Sequence, residues 1–144
     1  MFGLPIRNVL EPHKLVMAPP EATVSEASQL MKRSNVGAVL VVKEGRLTGI
    51  FTERDALYRV IAAQRDPRVT KLAEVMTPEP KTVAPDETFG YALLVMHENG
   101  FRHLPVLEDG RPIGVVSARS ALDPDLEEFT AEAERRKHIR RRAS

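Results

Sequence analysis

Apolar and polar positions change rhythm along the chain in a way that separates helices from strands. From Val24 the apolar residues recur at helical spacing, with Val24, Ala27, Leu30 and Met31 on one face of a helix over residues 24–33. Thr23 is placed to cap that helix, and Glu26 to close a capping box three residues on. Residues 36–42 are then a nearly unbroken apolar run, as expected of a strand covered on both faces. Glu44-Gly45 reverses the chain, residues 47–51 return antiparallel, and a helix follows to about Gln64 with Leu57, Val60 and Ile61 facing inward. Residues 1–22 carry Pro5, Pro12, Pro19 and Pro20, which cut the segment into short pieces, residues 14–17 reading as a strand.

The same rhythm returns. At an offset of 65, Gly114-Val115-Val116-Ser117-Ala118-Arg119-Ser120 falls on Gly49-Ile50-Phe51-Thr52-Glu53-Arg54-Asp55. Pro20 falls with Pro85, Thr23 with Thr88, Ala27 with Ala92, Met31 with Met96, Val41 with Val106, and Gly45-Arg46 with Gly110-Arg111. The register needs no insertion from Pro20 to Leu122, which marks two copies of one supersecondary unit. The second copy predicts a helix over 88–98 and strands over 103–107 and 113–116, with Pro105 arguing for an edge or a bulge. Between the copies, Val69, Leu72, Val75 and Met76 predict a packed turn rather than a free linker. The expected division is 1–66 for the first repeat with the N-terminal segment, 67–122 for the second, and 123–144 for a charged C-terminal helix.

Composition narrows the function more than it names it. The chain of 144 residues is 42% apolar and 28% charged, in the range of globular proteins, and its net charge of +1 points to neither nucleic acid nor membrane. Without cysteine there is no disulfide framework, thiolate zinc site or cysteine nucleophile, which fits a reducing cytosol. Residues 1–8 lack the basic start and apolar core of a secretory signal, and no window approaches a membrane span, so the cytoplasm is expected. There is no GxGxxG, GxxxxGK or GxSxG, and His13, His97, His103 and His138 lack metal-ligand spacing, so no catalytic or metal residue is expected. The tail sets six acidic residues over 123–134 before six lysines and arginines over 135–142. That basic run raises a rival reading, a nucleic-acid or protein-binding module, against which stand its lack of aromatics and the upstream acids. A third reading is a structural dimer with both clefts empty, meeting through the small faces of Ala27, Met31, Ala92 and Met96.

The chemistry concentrates in the heptad that ends each hairpin. Thr52 or Glu53 stands where a strand hands over to a helix, where first-turn N–H groups lack partners. A hydroxyl there can simply cap the helix; with Asp55 one turn in, the pair can instead grip a ligand carrying ribose or phosphate. Arg54 and Arg119 recur beside the two corners, and Arg102, His103 and Pro105 lead into the second hairpin, where a cation would meet a polyphosphate.

A doubled strand–helix–strand–strand–helix unit with Gly-apolar-apolar-Thr-x-x-Asp after a hairpin resembles the tandem CBS-domain pair, the Bateman module. Glu74-Val75-Met76-Thr77-Pro78 and Gly100-Phe101-Arg102-His103-Leu104-Pro105-Val106 agree with it, and the likeness runs to Leu122. The resemblance implies an α/β (α+β) fold of two β-α-β-β-α repeats related by a pseudo-two-fold. It also implies a non-catalytic sensor binding an adenosine-containing ligand in the cleft: AMP, ADP or ATP, with NAD or S-adenosylmethionine as alternatives. Magnesium enters only if a polyphosphate carries it. A homodimer and a separate effector protein are the implied partners. By the family's pattern Asp55 hydrogen-bonds the ribose hydroxyls, Thr52 helps hold ribose or phosphate, and Val36, Gly37 and Ala38 flank the base. In the second copy Ser117 keeps the hydroxyl but Ser120 replaces the carboxylate, so one good site on Thr52 and Asp55 is expected, and a second that is weaker or empty.

Overall fold

The computed structural model describes residues 2–122 and 135–136. Most of the expected C-terminal helix therefore lies outside the described residues; Arg135 and Arg136 are helical and exposed.

The first repeat contains β1 (Met17–Ala18), α1 (Val24–Ser34), β2 (Ala38–Lys43), β3 (Arg46–Thr52) and α2 (Glu53–Asp55), which continues with the wider winding of a π-helix over Ala56–Ile61. α3 (Leu72–Val75) and β4 (Thr77–Pro78) follow. The second repeat contains α4 (Phe89–Asn99), β5 (His103–Glu108), β6 (Arg111–Ser117) and a 3-10 helix over Ala118–Leu122. Strands β1-β2-β3-β4 form one sheet in that order, β1 parallel to β2 and the rest antiparallel, and β5-β6 form an antiparallel pair.

The repeat is kept down to its irregularities. Thr23 and Thr88 each accept a hydrogen bond from a backbone N–H three residues on, at 3.1 Å. Helices α1 and α4 end in left-handed residues 65 apart, Asn35 (φ 53°) and Gly100 (φ 73°), the conformation that lets the chain turn back into a strand. Each hairpin has a register shift, Val41/Val42 in one and Val106/Leu107 in the other. The bulge thus belongs to the repeat, not to Pro105. What Pro105 removes is a ladder bond. Leu40, its counterpart, donates its N–H to the Val16 carbonyl at 2.9 Å and helps pair β1 with β2. Pro105 has no N–H to donate, and the corresponding parallel pairing shrinks to a single bridge, Val83 to Val106.

In packing, the segments that precede the repeats exchange places. Ile6 and Val9 lie in the second repeat's core with Phe89, Ala92, Met96, Leu104, Val106 and Val116. The Ile6 N–H donates to the Glu87 carbonyl at 2.8 Å, and the Phe89 N–H to the Leu4 carbonyl at 2.9 Å. Conversely Leu72 and Val75 lie in the first core with Val24, Ala27, Met31, Val39, Val41, Phe51 and Val60, and β4 extends the first sheet. Each crossing segment passes over a hairpin strand at the glycine that opens the heptad. A Cβ on Gly49 would come within 2.4 Å of Met76 Sδ, and one on Gly114 within 2.7 Å of Leu10 Cδ2. The expected division at 66/67 follows the repeat in sequence, whereas the folded units interlock. A third cluster, Ala38, Leu40 and Ile50 with Val115 against it, joins the repeats.

Two expected faces are different in the structure. Val60 is buried, but Leu57 and Ile61 are 51% and 68% exposed. The π winding closes Ala62 N–H onto the Leu57 carbonyl, five residues back, and the longer turn aligns Ala56 with Val60 instead. Ala27, Met31, Ala92 and Met96, considered above as a dimer face, are all buried in their own cores.

Candidate functional site

A cavity of about 450 Å³ opens where the two repeats meet. The first repeat supplies Asn35, Val36, Gly37, Ala38 and Glu53; the second supplies Phe89, Arg102, His103, Val115, Val116, Ser117, Ala118, Arg119 and Ser120. The crossing N-terminal segment completes it with Val9, Leu10, Glu11 and Lys14. Position follows from local structure. The left-handed turn at Asn35 brings residues 36–38 to the rim of β2, and the matching turn at Gly100 brings Arg102 and His103 to the start of β5.

Of the residues singled out from sequence, Val36, Gly37, Ala38, Arg102, His103, Ser117, Arg119 and Ser120 line this cavity. Thr52, Arg54, Asp55 and Pro105 are not among its lining residues. Thr52 and Asp55 form a complete capping box: the Asp55 N–H donates to Thr52 Oγ1 at 3.2 Å, and Asp55 Oδ2 accepts from the Thr52 N–H at 3.0 Å. The Thr52 hydroxyl also lies 3.2 Å from Asp55 Oδ2. Asp55 Oδ1 is paired with Arg59 Nε at 3.6 Å, and Arg59 Nη1 donates to the carbonyls of Val75 (3.3 Å) and Met76 (3.0 Å). Arg54 donates to the Gly100 carbonyl at 3.4 Å and lies over the Tyr58 ring. Pro105 is buried within the β5–β6 pair.

The cavity has an apolar wall and a charged rim. Val9, Leu10, Val36, Phe89, Val115 and Val116 present surface suited to a flat base, and Lys14, Arg102 and Arg119 bring positive charge. Lys14 is held by Glu11 at 2.7 Å. Arg119 lies 3.9 Å from Glu53, and its backbone N–H donates to Ser117 Oγ at 3.2 Å. Burial holds the His103 imidazole below its ordinary pKa of 6.5, against Glu53, which favours the cation. Sequence reasoning missed Val9, Leu10, Glu11 and Lys14, which reach the cavity only through the crossing of the N-terminal segment. It also missed Glu53, whose adjacency to Thr52 reads as helix capping. Among the described residues no cluster of metal-ligating side chains occurs, and no helix is long and apolar enough to cross a membrane.

The CBS-domain family model matches residues 6–62 and 72–125, so the chain belongs to the CBS-domain family and is a tandem pair of such domains. These domains are regulatory modules rather than catalysts. Over 118 residues, 78% of its length, the chain is 39% identical to the mitochondrial CBS domain-containing protein CBSX3 of Arabidopsis thaliana, of which it spans 57%. A protein with CBS domains from Burkholderia ambifaria superposes with TM-score 0.75 at 30% identity, over 80% of this chain and 88% of that one. A CBS domain protein of Pyrobaculum aerophilum, solved in complex with AMP, has TM-score 0.75 at 22% identity, over 89% of this chain and 99% of that one; it attests the fold alone.

Proposed function

We propose that this CBS pair is a cytoplasmic sensor that binds an adenosine-containing ligand in the cavity between its repeats and passes the signal to a separate effector protein. One observation carries the reading: apolar walls from both repeats converge on a rim bearing Arg102, Arg119 and Lys14 beside the hydroxyls of Ser117 and Ser120. The base lies against Val36 and Val115, and the phosphates face the guanidinium groups, which suit them by charge and geometry. AMP, ADP and ATP fit this polarity; NAD shares the adenosine and phosphate, whereas S-adenosylmethionine would bring positive charge to a positive rim. AMP is the ligand with which the Pyrobaculum protein of the same fold was solved, and the adenosine class is carried over here as part of the proposal. A role for Asp55 and Thr52 at the first corner requires them to exchange their present partners, each other and Arg59, for a sugar.

The module acts as a homodimer, for which the exposed Leu57, Tyr58 and Ile61 of one helical segment offer apolar surface. Calorimetric titration of the intact chain with AMP, ATP, NAD and S-adenosylmethionine tests the ligand reading. Saturable binding of the phosphate-bearing ligands is expected; no heat and no thermal shift with any of the four would overturn it.

A further inference from the structure

Within the adenosine reading just given, on which this inference rests, we propose that Glu53 is the carboxylate that reads the sugar. It belongs to the first repeat yet projects into the cavity whose corner is built from Ser117 and Ser120 of the second. A vicinal diol is best recognised by a carboxylate, which accepts from both hydroxyls with charge assistance; a serine offers one hydroxyl. The second corner has Ser120 where the first has Asp55, so the cavity lacks a carboxylate of its own at that position.

Among the described residues three acids are candidates to supply it. Asp55 is engaged by Thr52 and Arg59 and does not line the cavity. Glu11 lines it but is paired with Lys14 Nζ at 2.7 Å. Glu53 lines it, with Arg119 3.9 Å away, beyond hydrogen-bond reach, and His103 as an electrostatic neighbour; among the described residues no hydrogen bond engages its carboxylate. Its backbone is fixed: the Glu53 N–H donates to the Gly37 carbonyl at 2.9 Å, one residue after the capping threonine. Its side chain lies over Gly37, where a Cβ would stand 3.0 Å from Oε1 and 3.0 Å from His103 Nε2. The absent side chain at Gly37 is what admits the carboxylate and the imidazole to the same wall. In a nucleotide the vicinal hydroxyls and the 5′-phosphate stand on opposite sides of one furanose ring, so neighbouring Glu53 and Arg119 can meet one each.

The test compares AMP with its 2′,3′-dideoxy analogue by calorimetry on the full chain, for the parent, Glu53→Ala and Asp55→Ala. Removing an acid from a cationic rim raises the affinity for both phosphates alike, so the readout is the ratio of the two affinities. The parent prefers AMP at least tenfold. Glu53→Ala brings the ratio close to one, while Asp55→Ala, with circular dichroism confirming its fold, keeps it. A Glu53→Ala protein that retains the parental ratio overturns the assignment, as does a ratio lost only in Asp55→Ala. A parent that binds AMP and the dideoxy analogue equally overturns sugar recognition while leaving the adenosine reading intact. Failure of the parent to bind AMP, ATP, NAD or S-adenosylmethionine overturns both.

Discussion

Arg59 ties Asp55 to the segment that crosses from the other repeat: its Nε lies 3.6 Å from Asp55 Oδ1, and its Nη1 donates to the carbonyls of Val75 and Met76. The residue 65 positions beyond Arg59 is Pro124, which lies past the end of the matched register and outside the described residues. Through Arg59 the acid at the first corner is a structural element of the free protein. Asp55→Ala should lower stability by about 1 kcal/mol through loss of the capping box, and Arg59→Ala by about 1 kcal/mol or less because its pair is half exposed. Urea unfolding of the two variants and the double variant checks this, and coupling between them should be measurable because they share one contact.

The heptad glycines differ in what they would displace. A Cβ at Gly49 meets both Met76 Sδ and, at 3.0 Å, the Thr77 backbone carbonyl, whereas the three atoms nearest to one at Gly114 all belong to the Leu10 side chain. Gly49→Ala should therefore cost about 1–3 kcal/mol and Gly114→Ala less, since backbone yields less readily than a leucine tip. Equal losses in thermal or urea unfolding would contradict the crossing geometry.

His103 gives stability a pH dependence of definite sign. Burial, opposed by Glu53 and Asp55 and reinforced by Arg119 and Arg102, lowers its pKa from 6.5. Between the folded value and 6.5 the unfolded chain binds a proton that the native protein refuses. The contribution is complete above 6.5, falls as the pH drops through the folded value, and is level below it. Urea midpoints measured across this range should decline toward acid in the parent, and the decline should be shallower in His103→Gln.

Exposed Leu57 and Ile61 supply the third kind of test. If a second copy covers them, the double substitution Leu57→Ser with Ile61→Ser should shift sedimentation from dimer to monomer without unfolding the chain. An unchanged sedimentation coefficient would place the interface elsewhere.

Much of this architecture is legible in the linear chain because the repeat constrains it twice. Thr23 and Thr88 and the two turn glycines mark the same boundaries in both copies, and each reading supports the other. The exchange of segments was not legible. Ile6 and Leu72 are simply apolar residues near prolines, and which core they enter depends on contacts formed far along the chain. The inward face after Asp55 departs from the expected Leu57, Val60 and Ile61 because 3.6-residue periodicity does not describe a π-helix. At the site, Val36, Gly37 and Ala38 are named only through the family resemblance, and Arg102 and His103 from their place before the second hairpin. Which corner opens into a cavity depended on Arg59, Glu11 and Lys14, whose places follow only from folded packing.

The most direct measurement is amide chemical-shift mapping of the uniformly labelled chain as AMP is added. Binding in the cavity predicts saturable shifts clustered at Gly37, Ala38, His103 and residues 117–120. Shifts confined to the basic residues after 134, or to Thr52, Arg59 and Val75 with the cavity silent, would contradict it.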